Sequence, residues 1–176
     1  MFLACVDGLT GFKAAIQAVF PKTALQRCVI HQVRYSLQYV TWTDRKEFVR
    51  DLRSIYQAPT REAAETALLQ LSEKWGAKYA IAVRSWEANW EDLATMFDYS
   101  ADIRRLIYTT NAIEGYNRQL RKVVKTKGAF PTGDAARKLL FLVTRDITRK
   151  WTMPPHNWAC ILNQLAIRFE GRFPLS

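Results

Sequence analysis

Two short apolar runs near the start of the chain predict β-strands. Residues 2–6 form the first run and residues 24–30 form the second. Between them, apolar residues recur at helical spacing over residues 9–20, until Pro21 ends the pattern. A strand, a helix and a strand joined by short connections predict a parallel β-α-β unit with a right-handed crossover.

From His31 onward, the apolar positions follow helical spacing almost throughout. Thr60 is the predicted cap of one of the helices. The predicted helices cover residues 43–57, 60–75, two stretches within 77–98, 101–107, 111–125, 134–151 and 157–169. The expected fold class is therefore mainly α with a small parallel β-α-β unit. Two parallel strands are too few for an ordinary α/β core, so we expect further strands in the intact protein.

The composition indicates a folded protein whose partner is a nucleic acid. Hydrophobic residues make up 49% of the 176 residues, and the net charge is +10. This content is enough for a substantial core, and the charge favours an anionic polymer, with a basic protein that has no such partner as the alternative. Three widely spaced cysteines argue against a disulfide framework, and the sequence has no signal-peptide pattern and no apolar run that could span a membrane. We expect a cytoplasmic protein without membrane contact.

Asp7 and Glu114 are the candidate catalytic carboxylates. Asp7 directly follows the first predicted strand, at the end where open α/β sheets place their sites. Glu114 lies near the start of a predicted basic helix. Two carboxylates in such places can share divalent metal ions that promote phosphodiester cleavage, and a site of this kind usually needs a third carboxylate.

Both carboxylates also have a purely structural interpretation. Asp-Gly is a common turn, so Asp7 can form that turn or cap the helix that follows. Asn111 and Glu114 have the spacing of a capping box, in which the Glu114 carboxylate would bind the Asn111 amide. For Glu114, spacing alone favours capping over catalysis.

A cationic ridge is predicted on the helix that contains Glu114. Five cations follow the glutamate: Arg118, Arg121, Lys122, Lys125 and Lys127. On a helical wheel, Arg118, Arg121 and Lys125 lie within about 40° of Glu114. The opposite side is apolar and contains Ile113, Tyr116, Leu120, Val123 and Val124. Such a ridge would bind a DNA backbone, to which scattered cations such as Arg27 would add, with a solvated helix face as the alternative.

Cys28 and His31 form a Cys-x-x-His pair after the second apolar run. A zinc site would need about two more ligands, and only His156 and Cys160 remain as soft candidates. Packing, or support of an active site, is therefore favoured over zinc. The six tryptophans lie mostly on apolar stripes, which favours core packing, with base stacking as the minority alternative.

Several segments of the chain resemble the bacterial mutator-type transposases. These segments are VDGLTGF at 6–12, CVIHQ at 28–32, YTTNAIE at 108–114, NRQLR at 117–121, KWTMP at 150–154, NW at 157–158 and NQLA at 163–166. The match covers nearly the whole chain in the same order. It makes catalysis the favoured role of Glu114.

The resemblance implies a partial ribonuclease H-like core, interrupted by a helical insertion, with an Asp, Asp, Glu triad. Asp7 matches the second aspartate and Glu114 matches the glutamate, while Cys28 and His31 match a family signature of unknown role. The implied cofactor is Mg²⁺ or Mn²⁺, and the implied partner is double-stranded DNA, both element ends and target. In the intact transposase we expect a homo-oligomer, associated with the nucleoid in the bacterial cytoplasm.

On this resemblance, the chain divides into three segments. Residues 1–42 would form part of the ribonuclease H-like core, residues 43–100 the helical insertion, and residues 101–176 the C-terminal helices of the core. The family's first aspartate lies on an earlier strand, which is absent here together with the N-terminal DNA-binding region. We therefore expect the C-terminal part of a transposase with little or no activity alone. A non-enzymatic basic helical module that binds nucleic acid, or a decayed remnant, is the alternative.

Overall fold

The computed structural model describes residues 1–109, 111–154 and 156–173, and for residues 111–113 it describes the backbone only. The described residues are mainly helical, and two strands among them form a small parallel sheet. The predicted class, mainly α with a small parallel β-α-β unit, is confirmed. Within the described residues, no helix is both long and apolar enough to cross a membrane.

The chain divides into two compact units. The N-terminal unit comprises Met1–Tyr108, and the C-terminal unit comprises Thr109–Ser176. Each unit has its own internal packing, and the two are described one after the other below.

The N-terminal unit begins with the β-α-β unit. Strands β1 (Leu3–Val6) and β2 (Ala24–Arg27) pair in parallel along their whole length, so that Val6 lies opposite Arg27. Helix α1 (Phe12–Val19) connects them. The carboxyl ends of both strands therefore meet at one edge of the sheet, next to the turn that leads into α1.

Two glycines make the turn between β1 and α1 possible. Gly8 and Gly11 have φ angles of 80° and 81°. This left-handed conformation costs glycine little because it has no Cβ atom, whereas other residues adopt it with strain. The chain can therefore reverse immediately after Asp7 and leave that side chain at the tip of the strand.

The second strand is shorter than the sequence predicts. It ends at Arg27 rather than Ile30, and helix α2 (Val29–Leu37) begins two residues later. Cys28 and the first helical residue are 3% and 0% exposed. The apolar run thus continues across the junction, and a short apolar run cannot distinguish a buried strand from the buried start of a helix.

Five helices and one 3₁₀ turn complete the N-terminal unit. They are α3 (Trp42–Tyr56), α4 (Arg61–Trp75), α5 (Ala80–Ala88), α6 (Trp90–Ala94), the 3₁₀ turn (Thr95–Asp98) and α7 (Ala101–Ile107). Their apolar stripes meet in a common core, where Phe48 is completely buried. Its ring lies 5.6 Å from the ring of Trp75 and 6.0 Å from that of Tyr79, both in edge-to-face geometry. The predicted cap of α4 is confirmed, because the Thr60 hydroxyl accepts a hydrogen bond from the Ala63 amide at 3.2 Å.

A buried glutamine fastens β2 to these helices. Gln26 has no exposed surface. Its amide nitrogen lies within 3.3 Å of three carbonyl oxygens, those of Arg27, Asp92 and Leu93. Its amide oxygen accepts a hydrogen bond from the Thr95 hydroxyl at 2.7 Å. Because a buried amide is costly without partners, these bonds fix the small sheet at one place on the helices.

Three helices form the C-terminal unit within the described residues. They are α8 (Asn111–Lys127), α9 (Gly133–Thr148) and α10 (Trp158–Arg168). The hydroxyl groups of Tyr116 on α8 and Thr144 on α9 are hydrogen-bonded at 2.8 Å. This bond and the apolar contacts around it join α8 to α9.

The long helix α9 ends earlier than the sequence predicts. The prediction extends it to Trp151, whereas the helix ends at Thr148. The Trp151 amide donates a hydrogen bond to the Thr148 carbonyl at 2.9 Å. A bond between residues three positions apart is typical of a 3₁₀ turn, whereas a continuing α-helix would bond residues four apart. The indole is 58% exposed and contacts the Tyr116 ring at 6.4 Å. Trp151 therefore lies on the surface instead of on the apolar stripe.

Candidate nucleic-acid and metal site

Asp7 is exposed at the carboxyl end of β1. One of its carboxylate oxygens accepts a hydrogen bond from the Leu9 amide at 3.3 Å, within the turn that leads to α1. This bond agrees with the structural interpretation of the Asp-Gly turn. It engages only one of the two oxygens, so the same carboxylate can also bind a ligand from solvent.

The Asp7 carboxylate borders an open cleft of about 610 Å³. One wall consists of the strand ends and α2, and the other consists of α5. The charged and hydrogen-bonding side chains of the lining include Asp7, Arg27, His31, Gln32, Arg84 and Ser85. The cleft thus combines two arginines with one carboxylate, and its size and charge suit a ligand that contains phosphate.

The guanidinium group of Arg27 lies directly against Gly8, the residue after Asp7. A Cβ atom placed on Gly8 would lie 2.6 Å from Arg27 Cζ, closer than real Cβ contacts. Glycine therefore serves two purposes here, since it adopts the left-handed φ and leaves room for the guanidinium. Parallel pairing of the two strands brings this arginine next to the candidate catalytic carboxylate.

Gln32 also contacts Arg27. Its amide oxygen accepts a hydrogen bond from Arg27 Nε at 3.3 Å, and its amide nitrogen donates to the Ser85 hydroxyl on α5. Nearby, the Trp86 indole donates to the Ser36 hydroxyl at 2.9 Å and joins the same two helices. Gln32, Ser36 and Trp86 are all at most 2% exposed. Buried polar bonds therefore hold the two walls of the cleft together.

The Cys28 and His31 pair separates into a buried thiol and an exposed imidazole. Cys28 packs at the junction of β2 and α2, where its amide bonds the Val6 carbonyl at 2.6 Å. His31 lines the cleft. Among the residues that the structure describes, no three His, Cys, Asp or Glu side chains come close enough to hold a metal ion. The burial of Cys28 agrees with a packing role for this residue.

The C-terminal unit contains Glu114 and the cationic ridge. Glu114 is half-buried in the first turn of α8, and all five cations that follow it are exposed: Arg118, Arg121, Lys122, Lys125 and Lys127. The apolar side is half-buried and contains Tyr116, Leu120, Val123 and Val124. This helix is therefore amphipathic as predicted. That the ridge binds DNA, and that Glu114 and Asp7 bind metal, stay predictions.

Two of the predictions for α8 concern side chains outside the described residues. These are the capping role of Asn111 and the place of Ile113 on the apolar side. Glu114 itself has interactions in the structure, so its half-burial is compatible with capping as well as with a ligand role.

Sequence reasoning missed the α5 wall of the cleft. Arg84 and Ser85 lie in a helix whose apolar and aromatic residues indicate core packing, and its polar side carries no motif. The bond from Gln32 to Ser85 joins residues 53 positions apart. No local pattern could have indicated that contact, although the isolated Arg84 in an apolar helix was a usable signal.

Comparison with known proteins places these features in a family. A family model described as "Transposase, Mutator family" matches residues 1–154. The chain is 44% identical over 174 residues to "Transposase for insertion sequence element ISRM3" of Rhizobium meliloti (strain 1021), which covers 98% of this chain and 44% of that protein. It is 33% identical over 193 residues to "Probable transposase for insertion sequence element" of Corynebacterium diphtheriae, covering 98% of this chain and 56% of that protein. The chain therefore spans about half the length of these relatives.

Proposed function

Because the chain belongs to the Mutator family of transposases, we propose that it is the C-terminal part of an insertion-sequence transposase that cleaves DNA strands and transfers them to a target. The observation that carries this proposal is the family match over residues 1–154, a span that includes both Asp7 and Glu114. The relatives are named as transposases for insertion sequence elements. The cationic cleft beside Asp7 and the exposed ridge on α8 support DNA as the substrate.

The fold that we propose for the intact enzyme is a ribonuclease H-like core with a helical insertion. In this chain, residues 1–42 would supply part of the core, residues 43–100 the insertion, and residues 101–176 the helices that close the core. The parallel pair of β1 and β2 with its crossover helix supports this assignment, since such an element suits a larger parallel sheet. The longer relatives have room for the remaining strands.

The candidate ligands in this chain are carboxylates, which are the type of ligand that Mg²⁺ and Mn²⁺ bind. Both ions prefer carboxylate oxygens, and Asp7 has an oxygen available at an exposed strand end. In the complete enzyme, Asp7 and Glu114 would hold the metal ions together with a further aspartate from the rest of the protein. The ions would supply activation of water or a 3′-hydroxyl and stabilisation of the leaving oxygen.

Besides the two carboxylates, the chain would contribute residues that hold the DNA backbone in place. The ridge on α8, with Arg118, Arg121 and Lys125 at its centre, would contact phosphates without reading the base sequence. Water would first cleave one strand at the element end, and the freed 3′-hydroxyl would then attack a target phosphodiester in line. We propose that the intact transposase works on double-stranded DNA as a homo-oligomer.

DNA binding by this chain tests the proposal directly. We expect the double substitution Arg118→Gln and Arg121→Gln to lower the slope of log Kd against log salt concentration by about 1.8, because each lost phosphate contact removes about 0.9. The matched control is Lys46→Gln with Arg53→Gln, two exposed cations on α3, which we expect to leave the slope unchanged. The measurement is fluorescence anisotropy with a labelled DNA duplex. Equal effects of both pairs would contradict a specific role of the ridge.

The same preparations test the expected lack of catalysis by the chain alone. With supercoiled plasmid and Mg²⁺ or Mn²⁺, we expect little or no nicking, because two carboxylates hold metal ions poorly. Robust nicking that disappears with Glu114→Gln would overturn this expectation. The alternative, a non-enzymatic nucleic-acid-binding module, predicts that Asp7→Asn and Glu114→Gln leave DNA binding unchanged, and a change in either variant would count against it.

A further inference from the structure

The cleft between the strand ends and α5 contains two arginines and one carboxylate, that of Asp7, so its formal charge is positive. Arg27 and Arg84 both line it. Neither guanidinium forms an ion pair with a carboxylate within residues 1–109, 111–154 and 156–173. Elsewhere in the N-terminal unit, Arg61 contacts two glutamates at 2.8 and 2.7 Å. Arginines in a concave site that form no ion pair are a typical arrangement for binding phosphate.

Arg27 is held in position, unlike a typical surface arginine. Its guanidinium occupies the space that a side chain on Gly8 would fill. In addition, its Nε donates to the amide oxygen of Gln32. The guanidinium therefore loses much of its rotational freedom before any ligand arrives, and a held donor binds its acceptor at a smaller entropic cost.

The position of Gln32 is itself determined by the opposite wall. The side chain is 2% exposed, and its amide nitrogen donates to the hydroxyl of Ser85 on α5. The orientation of this amide is thus fixed, since its nitrogen faces Ser85 and its oxygen faces Arg27. A series of hydrogen bonds therefore connects Ser85 to Gln32 and Gln32 to Arg27. It leads from the proposed helical insertion to the arginine that contacts Gly8, next to Asp7 in the chain.

We propose that this cleft is a subsite for the DNA backbone, in which Arg27 and Arg84 bind phosphate next to Asp7. Arg27 contacts the DNA directly, and Gln32 is a positioning residue that acts through Arg27. The insertion thus contributes to the active site itself, through Arg84 and through Ser85. This inference rests on the proposed function and adds DNA-binding residues in the N-terminal unit to those on α8.

A double-mutant cycle on DNA affinity tests both parts of the inference. The variants are Arg27→Gln, Gln32→Leu and their combination, with Arg53→Gln as the matched loss of an exposed arginine outside the cleft. We expect Arg27→Gln to raise Kd about tenfold and to lower the salt slope by about 0.9. Gln32→Leu should raise Kd about threefold while leaving the salt slope unchanged, because the charge remains but is no longer held. In the Arg27→Gln background, Gln32→Leu should have no further effect on Kd.

The outcomes separate this inference from the proposed function. If the unmodified chain does not bind duplex DNA, both are overturned. If it binds and Arg27→Gln behaves like Arg53→Gln, only the cleft subsite is wrong. If Gln32→Leu weakens DNA binding equally in the unmodified chain and in the Arg27→Gln variant, Gln32 does not act through Arg27 and has only a structural role. Should Gln32→Leu fail to fold, Ser85→Ala removes the hydrogen bond that holds Gln32. This variant should also raise Kd about threefold, and only where Arg27 is present.

Discussion

The two units of this protein differ in how they bury their apolar residues. In the N-terminal unit, every helix from α2 to α7 contributes buried side chains to one core, which includes Phe48, Leu52 and Trp86. In the described part of the C-terminal unit, the buried apolar residues are Ile147 and Ile161. Large apolar side chains are exposed there: Leu140, Phe141, Trp151, Met153, Trp158 and Ile167. The N-terminal unit also exposes some, such as Trp42 and Leu69, but around a much larger core.

This difference indicates that the two units depend on apolar burial to different degrees. A core of many interlocking side chains stabilises the N-terminal unit and holds the cleft walls rigid. The C-terminal unit carries most of its charge and much of its apolar surface outward, so its helices have less burial to stabilise them. Exposed cationic and apolar surface of this kind suits contact with DNA and other protein surface.

The largest expected effect comes from removing a large core side chain. Trp86 is 1% exposed and its indole donates to Ser36, so Trp86→Ala should lower the free energy of unfolding of the N-terminal unit by about 3–5 kcal/mol. Phe141 in the C-terminal unit is 65% exposed. Phe141→Ala should change the free energy of unfolding of the C-terminal unit by less than about 0.5 kcal/mol. Urea unfolding followed by circular dichroism measures both. Comparable losses would remove the contrast between the units.

A smaller effect is expected from the two threonine caps, which make the same local bond in each unit. The hydroxyls of Thr60 and Thr132 accept hydrogen bonds from amides three residues ahead at 3.2 and 3.1 Å. Replacing either with alanine should cost about 1 kcal/mol. Amide hydrogen exchange in α4 and α9 should therefore become about fivefold faster in the respective variant. Threonine-to-serine variants keep the hydroxyl and serve as controls; equal acceleration in them would show that the cap bond is not the cause.

The smallest effect concerns a surface ion pair of the N-terminal unit. A hydrogen bond from Lys78, and next one from the Tyr79 hydroxyl, hold the pKa of Asp44 below its ordinary value. A carboxylate with a lowered folded-state pKa stabilises the fold above its unfolded pKa of about 3.9, and this stabilisation disappears as pH falls through the folded value. The difference in Tm between the unmodified protein and Asp44→Asn should therefore be present at neutral pH and vanish in acid. A difference that does not change with pH would contradict the assignment.

Local patterns in the sequence predicted most of the elements. The spacing of apolar residues indicated α3, α4 and α7 closely, because each has a clear stripe and a clear boundary. The prediction was wrong where a run of buried apolar residues passes from a strand into a helix. The apolar residues at 28–30 belong to the start of α2 rather than to β2, and only tertiary packing makes that distinction.

The candidate site was predictable only in its local parts. Asp7 follows from its place after an apolar strand, and the exposure of Arg118 and Arg121 follows from helical geometry. The cleft could not be predicted in this way, because its walls come from segments far apart in the chain. The approach of Arg84 and Ser85 to Gln32 depends on how α5 packs against α2, for which no sequence motif exists.

The buried amide of Gln26 has a consequence for how such a protein can be recombined. Its partners at Asp92, Leu93 and Thr95 lie at the far end of the segment that interrupts the proposed core. A graft that exchanged only residues 43–100 with those of a relative would still offer Gln26 the backbone carbonyls at positions 92 and 93. It would keep the side-chain bonds of Gln26 and Gln32 only where the relative has hydroxyl residues at positions 95 and 85. Strand β2 and helix α2 are therefore linked to residues 43–100 through two hydroxyl side chains, which a chimera has to keep if both bonds are to form.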